Sequence, residues 1–480
     1  MRDILYKVSG GIFTSGLSVI LNLLVPRSLG VANFGLFSFI LTVSSQVLAV
    51  IDSKGSHNFY INISKDFTKS SIFYRYFKQY LFTFTLYLIV FIFFILIYDG
   101  AEIISLASIF IHTFLLWSLD IIYKIYDAGR LSKEAEILKA YQKFCLLIII
   151  IYLFFHELIS LNRYLFLLVF LDVIFLIYSY RKLLRKYPIF KPSFSRTSTV
   201  MTQISVNPSK QSFYMFAYTV CSISLELSDR FLIQHFGGSF QNGIYSFAYL
   251  FPSLFLIITS STNTVVAREM SIFTKDNSYE LFLKQLIYEL KYIILLAVLA
   301  SSFLFLHADI LVDTIGSEEY LSSIHLVKIM AILPVVQLLS TIIGTIYFNL
   351  KIYKVITKIS LFFLALSVFI YIVVLFWPAY VGFNSSNVAI FYASKFVIIE
   401  TVAILFSAFF LFKYFDINII PFILNIFKKY IVIIVVMILF KEYCVSFIHS
   451  LYGSFFAFLF ALFFYLLIFS CYHLYQKKQV

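Results

Sequence analysis

Charge is what this chain has least of. Only 13% of its 480 residues are Asp, Glu, Lys or Arg, against about 25% in an average soluble domain. Glycine and proline are also sparse, at 15 and 8 residues. The four cysteines (Cys145, Cys221, Cys444 and Cys471) lie far apart, in or beside apolar runs. No C-x-x-C pair or Cys/His spacing suits a metal, so the cysteines read as small buried apolar residues. The chain also lacks an H-E-x-x-H, a P-loop glycine run and a nucleophile elbow. Nothing couples it to ATP, and no catalytic residue, cofactor or metal is assigned to it. The expectation is a protein that is not an enzyme.

What is there is apolar. Hydrophobic types make up 61% of the chain and aromatics 20%, with 59 Phe and 35 Tyr. Such a composition excludes a soluble globular enzyme, a disordered chain and a secreted disulfide scaffold. A bilayer core takes about 20 apolar residues per helix. The sequence offers 14 such stretches: 6–26, 35–53, 79–98, 103–123, 141–160, 163–180, 212–236, 243–266, 286–306, 324–347, 356–377, 387–412, 425–442 and 450–473. The first follows Arg2 and Lys7, as a signal peptide would. No cleavage site follows it and Pro26-Arg27 ends it, so it reads as a retained helix. The fold expected is an all-α, polytopic integral membrane protein.

The basic residues orient it. With the N-terminus in the cytoplasm, the inside segments hold 31 of the 37 Lys and Arg, and the outside segments hold only Arg27, Arg163 and Lys441. This asymmetry predicts an even number of spans with both termini inside. It also accounts for the net charge of +13: cytoplasmic cations lie against anionic membrane lipids, and no nucleic acid is needed. The longest connection, 181–211, carries seven cations, no acid and three prolines. It reads as a basic cytoplasmic linker between an N-terminal six-helix lobe (1–180) and a C-terminal six-helix lobe (212–412), with two further helices in 413–480. Gly30–Phe39 after span one and Gly238–Phe247 after span seven both read G-x4-G-x-aromatic-S-F, 208 residues apart. Six spans separate the copies, so the lobes form a parallel pseudo-repeat. Each glycine pair permits a tight turn.

Ionisable residues inside spans mark a partner or a wet cavity. In span seven, Thr219, Ser222, Glu226 and Asp229 share one helical face. Glu226 and Arg230 at i and i+4 satisfy each other in the simpler reading; that leaves Asp229 unexplained and favours a cavity-lining face. The stripes Thr14, Ser18, Asn22 in span one and Ser38, Thr42, Ser45, Asp52 in span two fit helix packing and cavity lining equally. Ser246, Ser253, Ser260 and Asn263 in span eight do likewise. Lys395 and Glu400 in span twelve, five residues apart, do not share a face. Lys328 lies near the outer end of span ten, where snorkelling is the plainer reading. His112 and Asp172 fall near mid-span in the first lobe, and Asp120 nearer the cytoplasm. Arg230, Lys328 and Lys395 are embedded in the second lobe, whereas the first lobe's spans hold no cation, with Arg27 capping span one. Embedded cations suit an anionic substrate such as a diphosphate. No outside loop has room for a sugar-processing domain, which points away from a membrane glycosyltransferase.

Pro26-Arg27-Ser28-Leu29-Gly30 with Phe34-Gly35 and Phe37-Ser38, Ser228-Asp229-Arg230-Phe231-Leu232-Ile233 with Gly243-Ile244-Tyr245-Ser246, and Gly316 to Tyr320 resemble segments of the O-antigen flippases (Wzx-type). These are polysaccharide transporters of the multidrug/oligosaccharidyl-lipid/polysaccharide (MOP) exporter superfamily. The chain departs from that pattern at His57-Asn58, where relatives often place an Arg. The resemblance implies two six-helix lobes around a central cavity and alternating access. It implies transfer of an undecaprenyl-diphosphate-linked oligosaccharide to the periplasmic leaflet of a bacterial inner membrane, for O-antigen or another surface polysaccharide. Other polysaccharide-assembly membrane proteins are its implied partners. On this reading the diphosphate and sugar contacts are Arg230, Lys395, Arg27, Lys328, Ser222 and Asn22. Coupling to H+ or Na+ would run through Glu226, Asp229, Glu400 or Asp172. The alternatives are a multidrug/cation antiporter of the same superfamily and a membrane assembly component that transports nothing.

Overall fold

A computed structural model describes residues 2–98 except for several positions between 53 and 69, 102–187 except 130 and 157, 210–255, 294–350, 352–376 and 387–414, with five isolated positions from 437 to 465. Every regular element among them is helical, and the chain divides into two compact units, Met1–Ser209 and Lys210–Val480. Among the described residues, seven helices are long and apolar enough to cross a membrane, or nine if each of two bent pairs counts as one span. The chain is an all-α polytopic membrane protein. The stretches 425–442 and 450–473 lie almost wholly outside the described residues, as do the end of 243–266 and the start of 286–306.

The first unit contains α1 (Arg2–Leu29), α2 (Val31–Asp52), α3 (Ser70–Ile97), α4 (Ile103–Ala128), α5 (Ser132–Phe155) and α6 (Leu161–Lys186). Several helices outrun their apolar stretches, because hydropathy reports hydrocarbon thickness and not helix length. α1 continues through Pro26, contrary to expectation, with Arg27 in its last turn. It stops at Gly30, whose φ of 74° is left-handed. The turn stays hydrogen-bonded on both sides: Gly30 N–H donates to Pro26 O at 3.1 Å, and Phe34 N–H to Gly30 O at 3.0 Å. α6 runs to Lys186, so the first six residues of the expected linker are helix, and Glu134 at the start of α5 pairs with Lys182 and Lys186 at 3.1 and 2.8 Å. α5 begins at Ser132, which places Lys133, Lys139 and Lys143 on a membrane helix instead of in a loop.

Polar pairs tie these helices together where lipid offers no alternative partner. Ser44 and Thr113 join α2 to α4 at 2.7 Å, and Tyr126 OH donates to Ser179 O of α6 at 3.0 Å. His112 Nδ1 meets Asp172 Oδ2 at 2.5 Å, while Gln142 Nε2 donates to the other carboxylate oxygen at 2.8 Å, so Asp172 fastens α4, α5 and α6 at one point. α1 packs parallel to α5 through small residues: a Cβ on Gly10 would stand 2.6 Å from Glu136 Cβ. Ser18, two turns on, accepts from Lys143. Three crossings, α2 to α4, separate the two helices, and an odd number between them makes them run parallel.

The second unit opens with α7 (Lys210–Ser253), which folds back on itself at Gly238 (φ 67°, ψ −173°). α8 (Ile294–Leu306) and α9 (Ala308–Ile315) follow, bent by 74° at His307. Residues 307–323 are therefore not the open outside loop expected: α9 and a 3-10 turn (Glu318–Ser323) fill most of them. α10 (Ile324–Met330) and α11 (Leu333–Asn349) make the second bent pair, at 45°. Pro334, in the first turn of α11, has no N–H to continue the ladder, so the expected single span 324–347 breaks there. α12 (Tyr353–Phe376) and α13 (Val388–Tyr414) are unbroken.

Gly30 and Gly238 are the first glycines of the two repeat copies, and both have positive φ. At Gly238 the backbone lies in a region open essentially to glycine alone, so Gly238→Ala should cost about 1–3 kcal/mol. A Cβ on Gly11 meets nothing within 4 Å, so Gly11→Ala should be neutral or stabilising. Thermal unfolding of the detergent-solubilised protein checks both; a Gly238→Ala midpoint equal to the wild type would refute the strain argument.

Candidate functional site

The polar face of α7 delivers two charges of opposite sign to one depth. Asp229 and Arg230 are 2% and 5% exposed, and Lys395 of α13 is 6% exposed. Lys395 Nζ donates to Asp229 Oδ1 at 2.5 Å and to Tyr371 OH at 2.6 Å. The Tyr371 hydroxyl, on α12, donates to the same Asp229 oxygen at 2.9 Å and meets Ser228 Oγ at 2.6 Å. The ammonium also stands 4.3 Å from the centre of the Tyr371 ring. Asp229 is thus accounted for by an ion pair across 166 residues of sequence, and at this position the cavity-lining reading of the α7 face is corrected. The cause is economy of charge: in a low dielectric a carboxylate and an ammonium each need the other.

Arg230 is held differently. One guanidinium nitrogen donates to Asn242 Oδ1 at 3.2 Å and to Ser246 Oγ at 2.5 Å. The guanidinium stacks over the Tyr245 ring at 4.5 Å. All these partners lie beyond Gly238, and only the reversal there brings residues 12 and 16 positions on back to Arg230. Asn242 in turn donates to Gln234 Oε1 at 3.1 Å, and Gln234 to Ser239 Oγ at 3.0 Å. Phe247, at the end of this segment, packs on the fully buried Tyr320 with ring centres 4.1 Å apart. Gly316 has no room for a side chain, since a Cβ would lie 2.7 Å from Val312 O. Three separate motifs, around 228–233, 243–247 and 316–320, therefore meet in space.

Glu226 and Glu400 form a second locality. Glu400, on the side of α13 away from Lys395, lines a cavity of about 170 Å³ with Leu333, Val336, Gln337, Ser340, Thr341 and Phe396. Gln337 Nε2 donates to Tyr249 OH at 3.2 Å. Glu226 lies within the field of Arg230 and acts electrostatically on Glu400. Lys395 and Glu400 serve different neighbours, as their spacing predicts.

The remaining candidates scatter. Arg27, Asn22 and Ser222 are exposed, and Lys328 is half-buried with no side-chain polar partner among the described residues. Asp172 is enclosed by His112 and Gln142. His57 and Asn58 lie outside the described residues. Sequence reasoning missed Tyr371, because a tyrosine in an apolar helix gives no signal of its own. It also missed Lys143, which lies at the edge of the stretch 141–160 and counts with the cytoplasmic cations. The first unit therefore does hold cations on a membrane helix, contrary to expectation. No group of three or more His, Cys, Asp or Glu able to hold a metal occurs among the described residues.

Removing one partner of the buried pair leaves the other unpaired, at about 3–5 kcal/mol. Lys395→Met should lower the thermal midpoint sharply, and Asp229→Asn combined with Lys395→Met should recover most of the loss. A double variant no more stable than the single one would mean that the pair is not the source of the effect.

No protein-family model and no curated protein matches the chain. Solved structures do. The lipid II flippase MurJ, in an inward closed conformation, is similar over 99% of this chain and 100% of its own, with a TM-score of 0.62 and 17% identity. An inward-facing multidrug resistance MATE family transporter of the MOP superfamily is similar over 84% of this chain and 92% of its own, with a TM-score of 0.52 and 12% identity. At these identities the likeness is one of architecture: the chain has the helical membrane fold found in both of these transporters.

Proposed function

We propose that this chain is a flippase that moves an undecaprenyl-diphosphate-linked oligosaccharide from the cytoplasmic to the periplasmic leaflet of a bacterial inner membrane, for O-antigen or another surface polysaccharide. The observation that carries the reading is the end-to-end likeness to a lipid II flippase, over 99% of this chain. The multidrug transporter matches less of it, at 84%. The lipid tail can remain in the bilayer while the sugar crosses a wet path, so the protein must supply only a polar route and cations for the diphosphate. Arg230 is the first candidate among these, because its hydrogen-bond partners are neutral and its planar fork suits a phosphate. Lys395 is already neutralised by Asp229 and acts as a tie between α7 and α13 that alternating access would have to loosen. The orientation rests on the distribution of Lys and Arg, with both termini in the cytoplasm.

Coupling to H+ or Na+ falls to Glu400, with Glu226 beside it, since Asp229 and Asp172 are each held by a cationic or amide partner. The same cavity, with Glu400 in its wall, is what favours a second reading, a multidrug/cation antiporter. Leaflet-resolved analysis of lipid-linked oligosaccharide after deletion of the gene separates the two. Accumulation of complete repeat units on the cytoplasmic leaflet, with surface polysaccharide lost, is the expected result. Unchanged surface glycan, in a strain with no redundant flippase, combined with new drug sensitivity, would transfer the assignment to the antiporter. In proteoliposomes, Glu400→Gln should bring gradient-driven flipping down to the gradient-free rate; a wild-type response to the gradient would remove Glu400 from the coupling.

A further inference from the structure

The face that α5 turns toward α1 holds a charge that its neighbours do not balance. Glu136, Lys139 and Lys143 follow at steps of three and four and so share one side of the helix. Glu136 and Lys139 pair at 2.9 Å. Lys143 lies one turn farther, at the middle of this 24-residue helix, about 16 Å from its first residue. Its ammonium meets the hydroxyl of Ser18 on α1. That hydroxyl donates its own proton to Thr14 O at 2.8 Å, so it can only accept from the lysine. No carboxylate stands within ion-pair distance of Lys143 among the described residues. Other lysines of this unit do have one: Lys139 has Glu136, Lys124 has Asp120 at 2.7 Å, and Lys182 and Lys186 share Glu134.

An ammonium at mid-span with one neutral acceptor is costly, and a ligand of opposite charge is the remaining way to offset it. The surroundings have space for one. Gly11, Ser15, Ser18 and Asn22 recur at steps of four, three and four along one side of α1. A Cβ on Gly11 or on Gly16 would meet nothing within 4 Å, and Asn22 is exposed. Ser18 orients the ammonium, and Ser15 and Asn22 bring a hydroxyl and an amide of the kind that donate to phosphoryl oxygens beside a lysine.

We propose that Lys143 and Ser18 form a phosphoryl-anion site within the first unit, which receives the phosphate of a polyprenyl-diphosphate-linked glycan. The flippase reading supplies the source of the anion, while the site itself rests on the unbalanced lysine. A phospholipid headgroup carries the same chemistry, so the test separates the two sources. The full-length protein in phosphatidylcholine nanodiscs is titrated with undecaprenyl diphosphate, with undecaprenol, and with undecaprenyl diphosphate in the presence of phosphatidylglycerol. Lys143→Gln should weaken undecaprenyl diphosphate about tenfold, the size of one lost charge-assisted hydrogen bond. Lys143→Arg should bind like the wild type, and undecaprenol binding should not change.

Competition by phosphatidylglycerol at equal concentration would overturn the glycan-lipid assignment and make this a headgroup site; its failure to compete supports the diphosphate. Equal affinity of the wild type and Lys143→Gln for undecaprenyl diphosphate overturns the site itself. Gln keeps a donor for Ser18; if that variant nonetheless fails to fold, Ser18→Ala gives the second measurement, and unchanged affinity there overturns the site as well. Because the probe carries no sugar, Lys143-dependent binding combined with a normal leaflet distribution in the deletion strain would remove the flippase reading and keep the site. The opposite pair of results would remove the site and keep the reading.

Discussion

Water is absent from the hydrocarbon core, so a charge placed there must be met by the protein or by something the protein binds. Most of the polar architecture of this chain follows from that constraint. Asp229 is met by Lys395 and Tyr371, and Asp172 by His112 and Gln142. In each case one carboxylate fastens three helices, so the groups that are most expensive to bury also hold the bundle together. Helices in lipid gain little from burying apolar surface against one another, and such polar contacts, with close approach at residues like Gly10, supply the specificity that hydrophobic burial supplies in water.

The charges that are not met by an opposite charge are the informative ones. Lys143 rests on Ser18 alone, and Arg230, although Glu226 lies within its field, directs its hydrogen bonds to neutral Asn242 and Ser246. Neutral partners orient a cation without cancelling it. Such a group retains its attraction for an anion, whereas Lys395 has already been neutralised by Asp229.

Breaks in the helices do the positioning. Gly238 reverses α7 so that Asn242, Tyr245 and Ser246 return to Arg230, and Phe247 reaches Tyr320. Pro334 and His307 mark the other two bends. At Pro334 the break lies among buried residues such as Leu333 and Val336, and burial in protein is the condition under which irregular backbone survives at membrane depth.

Much of this was legible in the amino-acid sequence. Long apolar runs identify membrane helices because hydrocarbon thickness sets their length. The shared G-x4-G-x-aromatic-S-F pattern located two turns whose leading glycines both adopt left-handed φ, because only glycine enters that region without a steric penalty. Helix ends were not legible, since a helix can extend past the apolar stretch; Lys143 was concealed because it sits at the edge of the stretch 141–160 and counts equally well as a cytoplasmic cation. Pairing was not legible either. Spacing along α7 put Glu226 next to Arg230, but Asp229 found its partner on another helix. The sequence by itself determined which residues enter the membrane and how many charges must be buried there, because transfer from water to hydrocarbon depends on residue type and run length. Only the tertiary structure decided which charges cancel and which stay available, because pairing depends on distances between helices that no periodicity along one helix encodes.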